Sequence, residues 1–185
     1  TIPFFLRYEL QKPRPRDIMP VVVLAAIAAV GRILFAALPN FKPVSAVVIV
    51  CGVYFGKQNG FVCGALAALV SNFFFGQGPW LPWQMYGWGM MGYAAGLLQE
   101  KGCFRHAYAV YLYGALSAFL FGALLDSWFV VSFVDVNTAS ILAAFAAGLP
   151  FNLSHAASTL VFLLLILLPW GKKLQRLKDK YGISA

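Results

Sequence analysis

The sequence predicts an all-α, polytopic membrane protein with six transmembrane helices and both termini in the cytoplasm. Three observations carry this. The chain of 185 residues is 61% hydrophobic and only 11% charged, against about 25% charged in soluble domains. Apolar runs cover most of residues 18–168, which leaves no room for a soluble catalytic domain. Basic residues gather at alternate ends of those runs, as membrane topology requires. The formal net charge of +8 therefore reads as topology and not as a nucleic-acid surface.

Residues 1–17 mix an apolar start with Arg7, Lys12, Arg14 and Arg16, and Pro13 and Pro15 argue against a regular helix there. This is expected to be an interfacial cytoplasmic segment, with no cleavable signal peptide evident. A six-helix membrane domain follows over 18–169, then a basic tail over 170–185. The first helix is predicted over 18–38, about the 20 residues a bilayer needs. Its Ala25 and Ala29 stand four apart on a small-residue face, suited either to internal packing or to a partner helix. Short helices are predicted over 43–55 and 61–75 around a turn at 56–60. Neither reaches the usual length, so tilting or burial among neighbours is expected.

The stretch Gly76–Gly96 holds Trp80, Trp83, Trp88, Tyr86, Tyr93, Met85, Met90, Met91 and two prolines. Its first part reads as a loop and 83–98 as the fourth helix, with Gly89, Gly92 and Gly96 on one face. A fifth helix spans 107–131, with a stripe of Gly114, Ala118, Gly122 and Asp126. A loop at 132–138 contains Asp135. The sixth helix spans 139–168, with Pro150 as a kink and Pro169 as its end.

Of the fourteen Lys and Arg residues, all but Arg32 and Lys42 fall on the side of the two termini. The positive-inside rule places that side in the cytoplasm and the aromatic loop outside. The implied location is the plasma membrane of a bacterium.

Ionisable groups inside membrane segments are functional candidates. Arg32 and Asp126 are expected at similar depth near the outer face, either as a structural ion pair or facing one wet cavity. His155 shares a stripe with Asn152, Ser158 and Thr159, which faces inward to bind a ligand or to bond other helices. The aromatic cluster Trp80, Trp83, Tyr86 and Trp88, with Met85, reads as an interfacial belt or as a pocket for a planar ligand. Gln77, Gln84 and Asn72 are candidates for hydrogen bonds to such a ligand. Only two histidines exist, on opposite sides, so no metal site is expected. The three cysteines are odd in number and suggest reduced small hydrophobes. Gly87–Gly92 fits G-x-G-x-x-G but sits in an apolar helix without a preceding strand, and no P-loop is present, so ATP chemistry belongs to partners. No nucleophile–base pair is evident, and no enzyme is expected.

Size, six-helix topology, inward termini, outer loops and the A-x-x-x-A of Ala25 and Ala29 together resemble the S-component of energy-coupling factor transporters. The resemblance covers about 18–168. It implies a vitamin-binding subunit that docks through Ala25 and Ala29 on a membrane coupling subunit with two cytoplasmic ATPase subunits, and that topples to deliver its ligand. Residues 76–85 look most similar to members specific for vitamin B12 and related corrinoids, which implies a corrinoid as transported ligand and no covalent cofactor. Riboflavin, a queuosine precursor or another flat heterocycle fits the same physics. The competing class is a membrane scaffold that binds no vitamin.

Overall fold

A computed structural model describes residues 1–10, 14–134 and 137–183; Lys12, Pro13 and Asp135, each named above, lie outside the described residues. Among those described, seven α-helices and no strand are present: α1 (Ile2–Leu10), α2 (Pro15–Leu34), α3 (Val44–Phe55), α4 (Lys57–Phe75), α5 (Leu81–Glu100), α6 (Ala107–Phe133) and α7 (Thr138–Tyr181). Four of them, α2, α4, α6 and α7, are long and apolar enough to cross a membrane. Their outward faces carry exposed Val22, Val23, Leu112, Leu116, Leu120, Leu164 and Leu165. Soluble monomers rarely expose so continuous an apolar surface. The arrangement is compatible with a multi-pass membrane protein.

The two remaining predicted spans differ from these. α3 has only 12 residues, and nearly all of it, from Val44 to Gly52, is buried. It packs against α2, α4, α5, α6 and α7 and is the axis of the bundle. α5 has 20 residues but is rich in glycine and polar side chains. Its glycine face meets α4 and α3 closely. A Cβ at Gly92 would fall on the Gly60 carbonyl, and one at Gly52 on the Gly92 carbonyl. The α6 stripe meets α7 in the same way, since Gly114 faces Leu163 and Gly122 faces Asn152.

Several predicted boundaries are corrected. Ile2–Leu10 is helical: Pro3 falls in its first turn, where a missing N–H is harmless, and Pro13 and Pro15 come only after it; Phe4 stacks on Phe61 at 4.1 Å and meets Tyr93 edge-on. Pro15 starts α2, where its missing N–H is harmless, and Asp17 caps the Arg14 backbone N–H at 3.2 Å. The turn expected at 56–60 shrinks to Gly56, whose φ of +90° suits glycine alone. Pro169 does not end the last helix. α7 continues through the basic tail to Tyr181, because that tail docks: Gly171 packs on the Tyr54 hydroxyl, and Lys178 Nζ donates to the Tyr54 carbonyl at 3.2 Å. The tail is thus no separate unit.

The helices alternate in direction. The basic end holds α1, the start of α2, the α3–α4 break, the α5–α6 turn and the tail of α7. The aromatic end holds the α2–α3 and α4–α5 connections and the start of α7.

Candidate functional site

Arg32 sits in the last turn of α2 and is only 8% exposed. A buried guanidinium needs partners. It donates to Ser71 Oγ at 2.7 Å and to Asn72 Oδ1 at 3.3 Å, both on α4. Its charge also lies over the Phe75 ring at 4.5 Å and the Trp88 ring at 5.0 Å. Asn72 Nδ2 in turn donates to Gln84 Oε1 at 2.7 Å. The charge is therefore held by neutral dipoles and rings, and among the described residues Arg32 has no ion-pair partner. Lys42 joins it from the α2–α3 connection, its Nζ also over the Phe75 ring at 4.9 Å. Burial, and then the Arg32 charge, lower Lys42 below the ordinary lysine range.

The floor is aromatic. Trp88 stacks on Phe121 with ring centroids 4.6 Å apart, and Phe121 meets His155 edge-on at 5.2 Å. Trp88 Nε1 donates to Ser45 Oγ at 3.0 Å, and Ser45 Oγ lies 2.7 Å from His155 Nε2. The hydroxyl accepts from the indole and makes a further hydrogen bond with the imidazole, whose donor is set by the histidine tautomer. This separation matches a nucleophile–base pair. However, Ser45 is fully buried and is not part of the cavity wall. The hydroxyl fixes Trp88 and His155 in place.

The far wall is Asp126, which accepts from Asn152 Nδ2 at 2.6 Å. Gly148 stands where a Cβ would press on the Asp126 carboxylate at 2.5–2.7 Å, so the carboxylate lies flat against α7. Between these groups lies a cavity of about 270 Å³, bounded by Arg32, Lys42, Gln84, Trp88, Phe121, Asp126, Asn152 and His155. Two cations face one carboxylate across a flat apolar floor. That arrangement suits a small planar molecule with an acceptor or anionic edge and a donor on the opposite edge. A larger hollow, about 640 Å³ between α2 and the tail of α7, is almost wholly apolar and offers few groups to orient a solute. Among the described residues no three His, Cys, Asp or Glu side chains gather as a metal site.

Compared with known protein families, residues 11–172 match DUF6580, a family of unknown function. The chain belongs to the DUF6580 family. No curated protein and no solved structure matches it.

Of the residues singled out in this DUF6580 chain, the fold brings Arg32, Gln84, Trp88, Asp126 and His155 to one cavity, with Asn72 directly behind Arg32. Arg32 and Asp126 line the same space but do not pair, which corrects the ion-pair expectation. Each group finds a nearer neutral partner, Arg32 in Ser71 and Asp126 in Asn152. Gln77, Trp80, Trp83, Met85 and Tyr86 do not line the cavity. Trp83 and Tyr86 are 40% and 41% exposed, as interfacial anchors are. Trp80 meets Trp128 edge-on at 6.2 Å, Gln77 is exposed, and Met85 packs against the core. Ala25 and Ala29 are 3% and 1% exposed on the α2 side turned into the bundle, so they pack within the chain and present no partner surface here. The stripe of Asn152, His155, Ser158 and Thr159 does face inward, and all four are buried.

Sequence reasoning passed over Ser45, Lys42, Ser71 and Phe121. Ser45 had a usable signal. It is the one serine or threonine in the apolar run Val44–Phe55, and a hydroxyl buried there must find a partner. Phe121 had none, because α6 is apolar on every side.

Proposed function

We propose that this chain is the solute-binding subunit of a membrane transport system, similar to an S-component, and that its ligand is a small flat heterocycle. The single observation that carries the reading is the cavity at the aromatic end. There Arg32 and Lys42, with no carboxylate paired to them among the described residues, oppose Asp126 across the Trp88–Phe121 floor. Holding a buried cation on neutral groups alone is expensive, and an incoming anionic or carbonyl edge would relieve it. Six passes follow if α3 and α5 count as spans wrapped by their neighbours. The positive-inside rule then assigns the basic end, with both termini, to the cytoplasm and the cavity to the outside, in a bacterial plasma membrane.

The volume favours a flavin-like or queuosine-precursor-like ring over a corrinoid. Small-molecule sites run from about 300 to 1,000 Å³, and a corrinoid exceeds what about 270 Å³ encloses. In this reading energy comes from a coupling subunit and two ATPase subunits, with no chemistry on the ligand. Docking then uses the exposed α2 face of Met19, Val22, Val23 and Ile27 in place of Ala25 and Ala29.

Calorimetric titration of the purified chain with riboflavin, queuine, cobinamide and cobalamin tests the reading. One-to-one binding of one flat heterocycle is expected. Arg32→Met, folded as judged by its melting curve, should weaken it by about 10–100-fold, the worth of a charge-assisted hydrogen bond. Corrinoid binding would mean that the cavity opens on loading. No binding by folded protein would move a scaffold role ahead.

A further inference from the structure

A second cavity, of about 340 Å³, opens at the basic end among Val53, Tyr54, Gly96, Phe104, Val110 and Leu167. Four helices line both cavities, and α2 adds Arg32 to the one at the aromatic end. α3 supplies Val44 to one and Val53 to the other, α5 Trp88 and Gly96, α6 Phe121 and Val110, and α7 His155 and Leu167. At about 1.5 Å per residue these pairs are about 12–18 Å apart along their helices. The cavities therefore lie toward opposite ends of the same four helices.

The material between them is packed and apolar. Gly114 is the contact point: a Cβ there would meet the Leu163 side chain, with Thr159 Cγ2 at 3.4 Å and Ile49 Cδ1 at 3.7 Å. Ile49, Thr159 and Leu163 are all 0% exposed. One cross-tie holds the layer, where Tyr113 Oη donates to the Met91 carbonyl at 2.6 Å. Below the layer the tail of α7 closes the basic end through Lys178 on the Tyr54 carbonyl.

We infer that the layer of Ile49, Gly114, Thr159 and Leu163 is a gate between an entry cavity and an exit cavity, so that solute passes through the chain between α3, α5, α6 and α7. The inference rests on the solute-binding reading for what passes, but the gate itself is testable without any ligand. Gly114 lets α6 lie close enough for Leu163 to fill the passage. Separating α6 and α7 from α3 by a side-chain width joins the two cavities, and the bundle need not reorient in the bilayer.

The test is thiol accessibility in the full chain with Cys51→Ala, Cys63→Ala and Cys103→Ser, in sealed vesicles of both orientations, using a membrane-impermeant methanethiosulfonate. Leu125→Cys should react only from the outer side and Val53→Cys only from the inner side. Thr159→Cys, a nearly isosteric change, should react from both sides, about 10–1,000-fold more slowly than the cavity cysteines, as a minor open state populated at 0.1–10% requires. Ile49→Ala with Leu163→Ala should raise both Thr159→Cys rates about tenfold. Reaction of Thr159→Cys from one side only, or from neither, while the cavity cysteines react from their own sides, would overturn the gate. Reaction of Leu125→Cys and Val53→Cys from the same side would overturn it as well. Neither result depends on the titrations, so a failed gate and a failed ligand reading are told apart.

Discussion

The two ends of the bundle bury polar side chains to the same extent but treat them differently. At the aromatic end each has a partner: Arg32 on Ser71 and Asn72, Asn72 on Gln84, Ser45 between Trp88 and His155, Asn152 on Asp126, and Ser158 on the Lys42 carbonyl at 3.0 Å. At the basic end Gln58 and Asn59 are 6% and 7% exposed. Both amide atoms of Gln58, Asn59 Oδ1 and the Tyr8 hydroxyl find no hydrogen-bond partner among the described residues. Buried polar groups are high-stakes: fully satisfied they rigidify a site, and unsatisfied they weaken it. The difference teaches that the aromatic end is preorganised, whereas the basic end leaves buried amides unpartnered and is held by apolar packing, by the Lys57–Glu100 ion pair and by the docked tail of α7.

Ser45→Ala probes that contrast most strongly. It strands Trp88 Nε1 and His155 Nε2 together. Hydrogen bonds inside membrane proteins are worth about 0.6–1.7 kcal/mol each, so a loss of about 1–3 kcal/mol is expected in unfolding from mixed micelles. An unchanged unfolding free energy would show that the network does not stiffen the cavity. The opposite sign is expected at the basic end. Gln58→Leu removes two unpartnered atoms at similar volume and should be neutral or stabilising by up to about 1 kcal/mol. A clear loss of stability there would erase the contrast.

The smallest effect belongs to Lys42. Its folded pKa lies below the ordinary 10.5, through burial and then through Arg32. Where the folded lysine has released its proton and the unfolded one still holds it, the unfolded state binds more protons, so stability rises with pH. The melting temperature of the wild type relative to Lys42→Met should therefore climb as the pH rises toward 10.5 and level off above. A flat difference would mean that the two cations do not share one low-dielectric space.

Much of this was legible in the residues. The stripe Asn152, His155, Ser158 and Thr159 was readable because a 3.6-residue period fixes which side chains share a face. Four of the helices were readable because their apolar runs are long. The aromatic stretch was half readable. Its density of tryptophan marked the right region, but Trp83 and Tyr86 turn outward, and only Gln84 and Trp88 reach the cavity.

By itself the sequence determined the all-helical apolar character of the chain, the gathering of nearly all its basic residues at one end and the inward face of α7. These follow from composition, run length and period, which are local quantities. The tertiary structure alone decided that Arg32 rests on Ser71 and Asn72 and not on Asp126, that Ala25 and Ala29 pack inward, and that α3 is the axis that two cavities share. The physical reason is that period names a face but not the neighbour it meets. In an apolar chain, moreover, hydrophobicity no longer separates the core from the outer surface. Only the close approach allowed by Gly52, Gly92, Gly114 and Gly122 settles which helices touch, and so which polar groups find each other.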